Sequence, residues 1–230
     1  MIKDNIEKVK ANIQKSCNKS GRSIEDITLI GVSKTKSISE IMEAYEAGLR
    51  DFGENYVQEI IEKYPNMPKD AKIHMIGHLQ TNKVKYIIDK VCAIHSVDSF
   101  HLASEISKQA VKNQITMPIF VEVNAAQEDS KFGIKVSETV NFVKEIAELP
   151  GIYVNGLMTI APYVDNPEDN RQYFDALAQL SVDIIKENID NGYGKQLSMG
   201  MSGDYEVAVE AGATYLRVGT GIFGARNYNI

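Results

Sequence analysis

Along the chain, short apolar runs alternate with amphipathic segments. Residues 27–34, ITLIGVSK, are almost continuously apolar, as a strand buried on both faces is. Residues 38–47, ISEIMEAYEA, then place apolar positions at helical spacing, and Gly48 follows as a C-terminal cap. The same exchange repeats. LRDFGEN, KIHMIG, VCAIHSV, MPIFVEVN, IYVNGLMTI, QLSMG and TYLRVGT read as strands. Between them YVQEIIEKY (stopped before Pro65), TNKVKYIID and residues 99–113, 137–148, 168–188 and 204–211 read as helices. An additional helix, MIKDNIEKVKANIQKS, precedes the first strand.

About eight strands alternating with helices imply parallel strands and right-handed crossovers. The expected fold is α/β: a single (β/α)8 TIM barrel over residues 1–230, with an extra N-terminal helix. Such barrels typically take about 250 residues. A doubly wound sheet is the competing arrangement, but no GxGxxG turn follows the first strand. EAGLRDFGEN and EAGATYLRVGT repeat one phrase of helix end, glycine and strand, which suits repeated βα units. In a barrel the chemistry sits where strands end. The positions to inspect are therefore Lys34, Asn55, Gly77, Asp98, Asn124, Thr159, Ser198 and Gly219.

Two lysines follow the first apolar run. Ile30, Val32 and Lys34 share a face by alternation, and Lys36 has the same parity. Ser37-Ile38-Ser39-Glu40 has the form of a capping box, so the next helix starts at Ser37 and leaves Lys36 in a solvated loop. Lys34 is then the last strand residue, directed into the barrel mouth. Desolvation there lowers an amine's pKa, and a neutral amine can form a Schiff base. A lysine paired with a barrel carboxylate is the other reading.

At the opposite end of the chain, SMGMSGDYEVAVE (residues 198–210) is a strand end, small residues and a helix start, which favours an anion. RVGTGIFGAR (residues 217–226) places Gly219, Thr220 and Gly221 after the final strand. Barrel phosphate sites are commonly built from the loops after strands seven and eight. Either segment alone is also compatible with a glycine-rich turn that binds nothing. Arg217 has the parity of Tyr215 and Gly219 and faces the interior. It can only donate hydrogen bonds, so opposite a pyridine ring it requires an unprotonated nitrogen; a structural ion pair is the alternative. A Schiff-base lysine, a phosphate cradle and this arginine together describe a pyridoxal 5′-phosphate (PLP) site.

Composition narrows the partners. The net charge is −6 and the pI about 5.3, which disfavours non-specific binding to nucleic acid or an anionic membrane. Cys17 and Cys92 are far apart and without metal spacing, as expected for a reducing cytosol. The charged N-terminus lacks the apolar core of a signal peptide, and no apolar run approaches the ~20 residues of a membrane span. A cytoplasmic protein is expected.

GVSKTK, FGENYVQE, HMIGHLQTNK, NGLMTIAP and LSMGMSGDYEVAVEAGATYLRVGTGIFGAR, in order from residue 29 to residue 226, resemble the YggS/PROSC family of pyridoxal phosphate homeostasis proteins. The resemblance implies one barrel like the N-terminal domain of alanine racemases, with PLP held as a Schiff base on Lys34. It implies a phosphate held around Ser198 and by Gly219 and Thr220. It also implies Arg217 near the ring nitrogen and Asn55 close to the cofactor, and a monomer acting in vitamin B6 balance, with apo PLP enzymes as candidate partners. No metal and no catalytic residue is expected. Alanine racemases carry a second domain that supplies a catalytic tyrosine, for which a chain ending at Ile230 leaves no room. A single-domain PLP-dependent amino-acid racemase is the alternative, and a phosphate-binding barrel enzyme without PLP is a third reading. Lys83 and Lys131 read as helix and loop charges that could touch a ligand's rim, and His78 is given no role.

Overall fold

A computed structural model of the chain describes residues 1–128, 131–189 and 192–225. Arg226, the last residue of the C-terminal motif, lies outside them. Eight parallel strands close on themselves: β1 (Thr28–Val32), β2 (Asp51–Glu54), β3 (Lys72–Met75), β4 (Ala93–Val97), β5 (Met117–Asn124), β6 (Ile152–Met158), β7 (Gln196–Ser198) and β8 (Tyr215–Val218). The first pairs with both the second and the last, and pairing of β4 with β5 completes the ring. A two-residue strand, Ile134–Lys135, extends the end of β5.

Helices cover the ring: α1 (Ile2–Ser20), α2 (Ile38–Glu46), α3 (Val57–Lys63), α4 (Phe100–Lys112), α5 (Val136–Ala147), α6 (Arg171–Lys186), α7 (Tyr205–Glu210) and α8 (Thr220–Phe223). Alternation sorts the strand side chains. Leu29, Phe52, Ile73, Ile94, Val121, Leu157 and Leu216 pack outward, in one cluster with helix residues such as Ile41, Ile60, Ile106, Val143 and Phe174. Phe120, Met158 and Ala93 form a separate inner cluster, with Tyr215 against it. The N-terminal helix packs on α7, α8 and α2. Its Asn5 amide donates to the Ile222 carbonyl at 2.9 Å, and Lys19 pairs with Glu210 at 2.8 Å. It therefore braces the turn that follows β8.

The capping box forms as expected: Ser37 Oγ accepts from the Glu40 N–H, and Glu40 Oε2 accepts from the Ser37 N–H at 2.9 Å. Gly48 takes φ 90°, the left-handed geometry of a C-terminal stop. Three boundaries differ from the sequence reading. Residues 81–86 are a 3-10 helix, with no side chain capping their first turn. A 3-10 turn, Pro167–Asn170, precedes α6, as proline at the first helical position allows. The first strand ends at Val32, two residues short of Lys34.

Candidate functional site at the barrel mouth

At the C-terminal ends of the strands lies a cavity of about 490 Å³. Lys34, Arg217, Gly219 and Thr220 line it together. Lys34 reaches it from a turn, not from a strand end. Ser33 N–H still bonds the Gly53 carbonyl at 3.0 Å, after which the chain closes a turn with Lys36 N–H on the Ser33 carbonyl at 3.0 Å. Lys36 is not the solvated loop residue expected. Its side chain is 12 % exposed and lines the same cavity. Its ammonium is anchored on Glu40 Oε1 at 3.1 Å and on the Phe223 carbonyl at 3.2 Å. The contact to residue 223 brings in α8, which no local pattern around Lys36 could show. Lys131 also lines the cavity, at its rim.

The loop after β7 and the turn after β8 meet through Ser202. Its Oγ accepts the N–H groups of Gly219 at 3.2 Å and Gly221 at 3.1 Å. Asp204 holds that loop: Oδ1 accepts the Met201 N–H at 2.6 Å, and Oδ2 accepts the Asn170 amide at 2.8 Å. Gly200 takes φ 91°, and a Cβ there would stand 2.5 Å from Ala208 Cβ, so the loop can enter α7 only through glycine. Ser198 is not the hydroxyl at this turn. Strand parity sends it inward from β7, fully buried, to Arg217 and His95. Ser202, four residues on, is the hydroxyl that meets this turn, in the small-residue run SGD before the helix. Asn55 is not brought to the cavity either. It lines a neighbouring groove of about 780 Å³ with His78, Gln80 and Tyr86, and its buried Oδ1 has no hydrogen bond among the described residues.

Below the cavity the barrel interior is polar, where branched aliphatic residues dominate most barrels. Arg217 donates through Nη1 to Ser198 Oγ at 2.6 Å and through Nη2 to the Thr159 carbonyl at 2.8 Å. Ser198 Oγ lies 2.9 Å from His95 Nδ1, His95 Nε2 lies 3.0 Å from His74 Nδ1, and His74 Nε2 lies 2.9 Å from Asp51 Oδ1. With a carboxylate oxygen accepting at the Asp51 end, the file runs in one direction when His74 and His95 each donate from Nε2 and the Ser198 hydroxyl donates to His95 Nδ1. His95 is held neutral because burial, then His74 and Arg217, push its pKa well below the usual imidazole value. Phe120 stacks on the His95 ring at 4.1 Å. Burial pulls the Arg217 pKa down to about 10, opposed by Glu122 and Asp204, so it remains a cation at neutral pH.

Glu122 faces the interior from β5, and burial, with Asp98 adding to it, raises its pKa to about 7 despite Arg217. The folded protein thus holds this proton more tightly than the unfolded chain, whose carboxyl titrates near 4.5. Stability from this group is present below that value and falls as pH rises toward about 7, then levels off. Glu122→Gln should remove that part of the slope. Urea midpoints of both proteins between about pH 5 and pH 8 should diverge upward in favour of the variant. Parallel curves would contradict the assignment.

The mouth gathers groups that suit a phosphate-bearing aldehyde: the Lys34 and Lys36 side chains, the Ser202 and Thr220 hydroxyls, and a deep guanidinium. Gly203 opens space on the same side, since a Cβ there would meet nothing within 4 Å. Among the described residues no group of His, Cys, Asp or Glu is arranged to hold a metal ion. Comparison with known proteins agrees with this chemistry. The model of the alanine racemase N-terminal domain matches residues 5–227. The pyridoxal phosphate homeostasis protein of Aquifex aeolicus is 45 % identical over 226 residues, 98 % of each chain. The structure of PipY from Synechococcus elongatus with PLP bound superposes with a TM-score of 0.84 at 29 % identity, covering 97 % of this chain and all of that one. An alanine racemase from Clostridium difficile shares the fold at 16 % identity and a TM-score of 0.78, and this chain, matched over 99 % of its length, covers 60 % of it. With its motifs, its closed barrel and near-full-length identity in agreement, the chain belongs to the pyridoxal phosphate homeostasis family, built on the alanine racemase N-terminal fold.

Proposed function

We propose that this protein binds PLP reversibly, held as a Schiff base on Lys34, and serves intracellular vitamin B6 homeostasis. The observation that carries the reading is the convergence of Lys34, Arg217 and the Gly219–Thr220 turn on one cavity. When bound, PLP supplies an aldehyde carbon that combines reversibly with amines. Ser202, Gly219 and Thr220 would hold the phosphate, and Lys36, which lines the same cavity, would add charge. Arg217 lines the same cavity and, facing the ring, would require an unprotonated nitrogen, which would make the ring a poor sink for carbanion charge. PLP bound to the related PipY supports the cofactor assignment.

We read the role as holding the cofactor, not turning over amino acids. Racemisation by two bases needs a second acid or base opposite the lysine. The tyrosine lining the cavity, Tyr163, is 95 % exposed and so is solvated, not held against Lys34. We place the protein in the cytosol as a monomer, with apo PLP enzymes as the partners that would accept the cofactor. PLP-loaded protein mixed with single L-amino acids in deuterated water should exchange the α-proton far more slowly than ~1 s⁻¹. Exchange at or above that rate would establish the racemase reading instead.

A further inference from the structure

Both chain neighbours of Lys34 are tied to the end of β2 and to α3. The Ser33 hydroxyl donates to Glu54 Oε1 at 2.7 Å, and the Thr35 N–H donates to Glu59 Oε2 at 2.7 Å. Between the two carboxylates lies Lys63, the last residue of α3. Its Nζ donates to Glu54 Oε1 at 2.8 Å, to Glu59 Oε2 at 2.5 Å and to the Ser33 carbonyl at 2.8 Å. All three ammonium protons are used, on a side chain only 11 % exposed. Lys63 also opposes the burial that raises the Glu54 pKa, and so favours a charged carboxylate beneath Ser33. The turn it grips is one that would not hold itself. Thr35 takes φ 63°, a left-handed conformation that β-branched residues rarely adopt and that persists only when its surroundings enforce it.

We propose that Lys63 is a positioning residue for the cofactor lysine: one buried ammonium, clamped between Glu54 and Glu59, holds residues 33–35 so that Lys34 stays directed into the cavity. The proposal rests on the PLP reading above. It explains why Glu54 and Glu59 both belong to the FGENYVQE segment although neither lines the cavity. Without the clamp, Thr35 relaxes from its left-handed geometry, Lys34 loses its fixed approach to the Gly219–Thr220 turn, and bound PLP leaves faster.

The test compares wild type with Lys63→Met and Glu59→Gln by two readouts. Amide hydrogen exchange of residues 33–36 is measured in PLP-free protein, and PLP release from the loaded protein is followed by its absorbance after adding hydroxylamine. In Lys63→Met both rates should rise about tenfold or more, the equivalent of one charge-assisted hydrogen bond, while exchange in β5 stays unchanged. Glu59→Gln should raise both by a smaller factor, and it decides the matter alone if Lys63→Met does not fold. Unchanged exchange and release in the folded variants would overturn the proposal, as would exchange that rises throughout the barrel, which marks a merely structural role. Wild type that holds no PLP on Lys34 would refute the functional reading, and exchange in the PLP-free turn would still decide the clamp.

Discussion

Lys34→Ala should abolish the visible absorbance of the PLP-loaded protein, while Lys36→Ala should keep most of it. Both amines line one cavity, so proximity does not separate them. The Lys36 Nζ is committed to Glu40 Oε1 and the Phe223 carbonyl. Lys34 sits on a turn whose neighbouring residues are anchored to Glu54 and Glu59, and its side chain lines the cavity. Loss of the covalent link leaves only phosphate and ring contacts, and affinity should fall by about two orders of magnitude, ~3 kcal/mol. Lys36→Ala removes one charge near the phosphate and should cost affinity several-fold, with the absorbance band in place. Titration of each variant with PLP, followed by absorbance, separates these outcomes. If Lys36→Ala removed the band, the assignment to Lys34 would fail.

Arg217→Met should destabilise the PLP-free protein by about 3 kcal/mol, because Ser198 Oγ and the Thr159 carbonyl lose a charged donor in a buried site. The change should be legible at a distance. Burial and His74 hold the His95 pKa down more than Arg217 does, so the variant should raise it while leaving it below the ordinary value. If Arg217 faces the ring nitrogen of bound PLP, as proposed, the variant would free that nitrogen to take up a proton and shift the pH dependence of the absorbance. Urea unfolding measures the first effect and histidine NMR the second. An unchanged urea midpoint would mean that the interior file does not depend on its cationic end.

The order of elements was legible because each strand and helix carries its own period, and periods need no knowledge of the partners. Lys34 and the Gly219–Thr220 turn were legible for the same reason, since a barrel sends strand ends to one face. The errors arose where contacts cross the sequence. Residues 33–36 look like a strand end followed by loop, but Glu54, Glu59 and Lys63 from the next βα unit bend them into a turn, and the Phe223 carbonyl draws Lys36 inward. The resemblance put Ser198 at the phosphate; Leu197 packs outward, and Ser198 faces the barrel axis and Arg217. His74 and His95 sit in strands that read as ordinary core. Their role depends on pairing with each other across adjacent strands and with Ser198, 103 residues from His95. Asn55 ends its strand as expected, yet lines the groove beside the cavity.

The most direct measurement is reduction of the PLP-loaded protein with borohydride, followed by digestion and mass mapping of the modified lysine. A single phosphopyridoxyl group on Lys34, with loss of the visible band, is the expected result. The same group on Lys36 or Lys131, or a protein that takes up no PLP, would contradict the assignment of the barrel mouth as a PLP site built on Lys34.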